Sequence, residues 1–94
     1  MSANISDMVT GNIIDVKLGN EFDIGGANWH HMEVLGVQKR MCGTVAVGLS
    51  KEDNATVGVI TINEHNKFVC TSSLIVGVHA DSIQHAAKLH GFTL

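Results

Sequence analysis

Proline and tyrosine are both absent from this chain. Without proline, turns must come from glycine, with asparagine and aspartate in support. Ten glycines serve that purpose, which suits a tightly turned sheet better than a helical bundle. Aromatic residues are scarce at 4 %, a single Trp and three Phe. Charged residues make up only 16 %, against about 25 % in ordinary soluble domains. That composition argues against disorder, which needs high charge and low hydrophobicity. Basic residues number six against nine acidic, for a net charge of −3. The one adjacent basic pair is Lys39-Arg40, so the positive stripe that neutralises phosphates is missing and nucleic-acid binding is not expected. No apolar run reaches the roughly 18 to 20 residues of a membrane helix. The first twelve residues also lack the basic start and apolar stretch of a secretory leader. The expected location is the cytoplasm.

Two cysteines, Cys42 and Cys70, fit no metal-ligand spacing and no disulfide framework. Both are expected as free thiols placed mid-sheet, where a catalytic thiolate would be poorly served. Six histidines are more suggestive: His30, His31, His65, His79, His85 and His90. A metal site needs several ligands converging on one point. His85 and His90 are five apart and do not stack on one helix face. His30 and His31 would face opposite ways on a strand. No metal and no cofactor is expected. The carboxylates Asp15, Asp23, Glu33 and Glu64 are scattered, and Gly25-Gly26 lacks the context of a phosphate loop.

What is present in quantity is apolar residue, 45 % of the chain. Its length of 94 residues sets one domain as the expectation, with residues 1–10 forming an arm or one short helical turn. Ile14, Val16 and Leu18 alternate with Asp15 and Lys17 as a strand. Gly19-Asn20 turns into a return strand over 21–24. Trp29–Val37 reads as a strand, with a short helix capped by Asn28 as the alternative. Gln38-Lys39-Arg40 reads as a polar turn. In the next strand, 42–49, Val45, Val47 and Leu49 share one face while Thr44, Ala46 and Gly48 share the other. Residues 55–63 form the strongest strand, dense in Val, Ile and Thr. A turn at Glu64-His65-Asn66 leads into 67–71, and 74–78 extends that strand or starts another. A helix follows, with Asp81 as N-cap, Gln84 completing a capping box, and Gly91 as the stop. Phe92 and Leu94 then pack back on the sheet. The fold class is α+β: an antiparallel sheet of five or six strands, a meander that closes as a small barrel or sandwich, with one C-terminal helix.

Strand 55–63 is apolar on both faces, with Val57 and Val59 on one and Ile60 and Ile62 on the other. Strand 74–78 shares the trait. A sheet with one wet face should alternate cleanly, and one short helix covers only part of one face. Either the sheet folds over itself or a second copy of the chain covers it. This apolar surplus, with no organised catalytic set, points to a non-enzymatic binding protein of the inhibitor or adaptor type. It would act on a macromolecule or a small ligand as a homo-oligomer. The alternatives are a small enzyme with a His/Cys-lined pocket between subunits, and a structural assembly subunit. Trp29, His30 and His31 are the first candidates for a recognition surface, with Lys39 and Arg40 as a second pair.

Overall fold

The computed structural model describes residues 3–18, 29–41, 43–76 and 80–94. Five strands, β1 (Ile13–Leu18), β2 (Trp29–Arg40), β3 (Gly43–Ser50), β4 (Thr56–Ile62) and β5 (Phe68–Ile75), are followed by one helix, α1 (Ala80–Leu89). Each strand pairs antiparallel with the next, and β5 returns to β1 to close a barrel. In a five-strand meander the first and last strands run the same way, so closure must be parallel. The closing ladder is short, with Lys17 opposite Val69 and Leu18 opposite Cys70.

Two bulges help the sheet curl, since an extra residue on one strand increases local twist and bends it. The β2–β3 register slips between Val34 and Gly36, and the β4–β5 register slips between Val59 and Ile60. Gly48 and Gly58 lie opposite one another on β3 and β4. A Cβ on Gly48 would stand 2.6 Å from Ile60 Cδ1, and one on Gly58 2.3 Å from Cys70 Sγ. The two glycines therefore serve close packing inside the barrel.

Closure resolves the two-faced strands. Ile14, Val16, Met32, Val34, Ala46, Ile60, Phe68 and Cys70 fill the barrel interior, joined by Ala3 and Met8. Val45, Val47, Val57 and Val59 face outward and are covered by Ala86, Ala87 and Phe92, with Ile83 packed against them. The barrel wall supplies one cover and α1 the other, so these strands need no second copy. Residues 74–75 differ from the expectation: Ile75 is 84 % exposed and Leu74 38 %. They lie at the end of β5, past the barrel interior, while Val76 packs under the helix.

The chain ends are tied down by local chemistry. Asn4 caps a 3-10 turn over Ile5–Asp7. Ala3 N–H donates to the Asn66 carbonyl, and Met8 is buried, so the segment returns to the barrel. The helical-turn expectation is the one realised here. Helix α1 starts at Ala80, which places Asp81 inside the first turn rather than at the cap. There its negative charge still complements the helix dipole. At the other end Gly91 adopts φ +88°, Phe92 N–H donates to the Ala87 carbonyl and Gly91 N–H to that of Lys88. This is a Schellman stop, with Phe92 folded back on Ala87.

Gln38, Lys39 and Arg40 belong to β2 rather than to a turn, opposite Val45, Thr44 and Gly43. The ladder continues through them because Gln38 and Arg40 have partners off the strand. Gln38 Nε2 donates to the Gly91 carbonyl, Arg40 Nη2 donates to the His90 carbonyl at 2.7 Å, and the Arg40 guanidinium lies 4.9 Å from the Phe92 ring centre. The return strand at 21–24, Asn28, Cys42, Val78 and His79 lie outside the described residues.

Candidate functional site

Among the described residues, the β1–β2 ribbon brings an imidazole between two carboxylates. Its register sets Asp15 opposite His31 and Lys17 opposite Trp29. Because strand side chains alternate, Ile14, Val16, Met32 and Val34 point into the barrel. Asp15, Trp29 and His31 point outward. His30 takes the inner face at the barrel mouth, where its Nδ1 lies 2.9 Å from the Oγ of fully buried Ser50.

His31 is held on both sides. Its Nε2 lies 3.1 Å from Asp15 Oδ1 and its Nδ1 3.1 Å from Glu52 Oε1. The His31 backbone N–H also donates to the Glu52 carboxylate, and Lys51 N–H donates to the His31 carbonyl. The bond to Glu52 first, then the charge of Asp15, raises the His31 pKa above the ordinary histidine value. The reciprocal bond lowers that of Glu52. Beside it, Asp53 Oδ1 accepts from the backbone of Ala55 and Thr56, and Oδ2 from the Thr56 hydroxyl at 2.6 Å. These bonds hold the Asp53 carboxyl below its usual range and fix the β3–β4 turn that presents Glu52.

The chemistry this permits is limited. A general base needs a free lone pair, and both nitrogens of His31 already face carboxylates. Among the described residues no three His, Cys, Asp or Glu side chains form a group able to hold a metal ion. Cys70 is buried, its thiol contacts the Ser72 carbonyl at 3.5 Å, and burial pushes its pKa up. A nucleophilic thiol needs the opposite shift.

Next to His31 lies a groove of about 630 Å³, bounded by Ile13, Asp15, Trp29, His31, Lys67 and Phe68, with Ala3 and Asp7 on its N-terminal side. It sits where β1 parts from the start of β5. Its volume falls within the range of about 300–1,000 Å³ usual for ligand pockets. Ile13 and Trp29 are 56 % and 40 % exposed beside it. Of the residues singled out in the sequence, Trp29 and His31 line this groove and His30 lies between them in the chain. Lys39 and Arg40 sit ten residues along β2, roughly 33 Å away at the ordinary strand rise. Arg40 is committed to the helix end. Asp15 and Glu52 escaped the sequence-level set. Asp15 alternates like any wet-face residue, and Glu52 reads as loop until the β2–β3 register is known. No protein-family model matches the chain, and no curated protein or solved structure matches it either.

Proposed function

We propose that this chain is a non-enzymatic binding module whose recognition surface is the groove beside Trp29 and His31. The observation that carries the reading is the exposure of Ile13 and Trp29 at the rim of that groove. Large apolar side chains grouped at a concave, partly polar site are a feature of recognition surfaces. His31, Glu52 and Asp53 favour the same reading, because their bonds are taken up in holding the β1–β2 ribbon and the β3–β4 turn in shape.

Trp29 is the only tryptophan, so its emission reports on this groove alone. Titrating a small library of amphipathic organic fragments and short peptides should give saturable shifts of Trp29 emission. An Ile13→Ser variant that keeps its fold should lose them. Saturable binding elsewhere, with Trp29 silent, would remove the groove from the proposal. Turnover of any of these compounds would replace binding by catalysis.

Self-association is the second reading, favoured by the exposure of Ile75, Leu89 and Leu94. Light scattering across a dilution series decides it. A constant single-chain mass would exclude a homo-oligomer.

A further inference from the structure

Resting on the groove as a recognition surface, we propose that its occupant is an extended peptide segment of another protein, added as a strand on the edge of β1. The barrel closes through only Lys17 and Leu18. Over Ile13–Val16 β1 has no strand partner on its β5 side among the described residues. Backbone direction alternates along an antiparallel strand. Val34 N–H donates to the Asn12 carbonyl, and Ile14 and Val16 continue that phase toward β2. The N–H and C=O of Ile13 and Asp15 therefore point into the groove, outside the closing ladder with β5, which covers Lys17 and Leu18, and outside the loop and turn bonds among the described residues. Unpaired edge groups are a template for another strand.

The side chains on this edge define what the strand should carry. Ile13 and Asp15 are two apart, so the added strand meets them with every second residue. Asp15 is 56 % exposed and meets His31 through Oδ1, which leaves Oδ2 to favour an arginine opposite it; the groove wall carries both Asp7 and Lys67, so the preference for a basic residue rests on Asp15. Arginine matches a carboxylate with two parallel bonds. Ile13 favours a β-branched residue opposite, while Trp29 lines the same groove from β2, on the other side of β1. Antiparallel addition puts the basic residue first, giving an Arg-x-Ile pattern.

The probe is acetyl-Thr-Val-Arg-Thr-Ile-Thr-amide, read by Trp29 emission and by amide hydrogen exchange at Ile13 and Asp15. Binding should slow exchange at both amides. Methylating the arginine and isoleucine nitrogens of the peptide should weaken it roughly tenfold or more, since two backbone bonds are lost. Asp15→Asn should weaken the arginine peptide and leave its norleucine analogue unchanged. Equal affinity for the methylated peptide would overturn strand addition. Silence toward the peptide, with Trp29 still responding to non-peptide fragments, would overturn the peptide and leave the binding module standing. Silence toward both would overturn both. Protection of Ile13 and Asp15 without peptide, together with a doubled mass, would assign the edge to a second copy instead.

Discussion

Arg40 donates a 2.7 Å hydrogen bond to the carbonyl of His90, fifty residues further along the chain, and stacks on Phe92 as it does so. Its Nε donates to Gln38 Oε1 at 2.6 Å, and Gln38 in turn donates to the Gly91 carbonyl. The last strand residues of β2 thus hold the free carbonyls at the end of α1, where positive charge is favoured.

Arg40→Met keeps the length of the side chain and removes its donors and charge. The lost hydrogen bond and cation–π contact together should cost about 1.5–2 kcal/mol. Arg40→Lys should fall between the two, since a lysine cannot reproduce the planar fork. Urea unfolding checks this. The midpoint should drop while the slope against denaturant stays constant.

Gly58 admits no side chain, because a Cβ would meet Cys70 Sγ at 2.3 Å and the Ser72 carbonyl at 3.0 Å. Gly58→Ala should destabilise the barrel by about 1–3 kcal/mol through overpacking. Cys70→Ala removes the closer obstacle, so the double variant should be more stable than the sum of the two losses implies. A double-mutant cycle measures that coupling. Strict additivity would show that the strands separate locally instead of clashing.

The His31 pair sets a pH window. A raised histidine pKa adds stability that is complete below the ordinary histidine value and is lost as pH rises through the folded value. The lowered Glu52 pKa adds stability that is complete above the ordinary glutamate value and is lost as pH falls through the folded one. The clasp is therefore strongest between those limits. Both groups are solvent-exposed, so the signal belongs in a titration rather than in a melting curve. The His31 ring resonances should titrate above the ordinary value. Glu52→Gln should lower that midpoint more than Asp15→Asn, following the order of the causes. The reverse order would transfer the main role to Asp15.

Cys70 should be inert in the folded chain. It lies among the barrel interior residues, and burial holds its thiol protonated. In a Cys42→Ser variant, iodoacetamide at neutral pH should label Cys70 slowly in buffer and fast in denaturant. Rapid labelling of the folded protein would mean that the barrel opens readily near the short β1–β5 ladder.

Much of the secondary structure was legible one residue at a time. Alternation at Ile14 and Val16 gave β1, the Val, Ile and Thr content of 56–62 gave β4, and Gly91 with Phe92 marked the end of α1. These are local signals, because side-chain period and a left-handed glycine are properties of a few neighbouring residues. Gln38–Arg40 misled for the same reason. A polar run resembles a turn until the helix carbonyls and the Phe92 ring that Arg40 meets are in place.

The sequence by itself determined that there would be strongly alternating strands, one helix and an apolar excess on both strand faces. Only the tertiary structure decided where that excess goes. The interior face is covered because the meander curls on its glycine pair and two bulges until β5 meets β1. The outer face is covered because the helix end is clasped by Gln38 and Arg40. The same closure decided the candidate site. Asp15, His31 and Glu52 come from three separate stretches of chain, and register alone brings them together. The groove exists because β1 and β5 join over only two residue pairs. Pairing of distant strands depends on the sum of all contacts around the barrel, which no local window of residues contains.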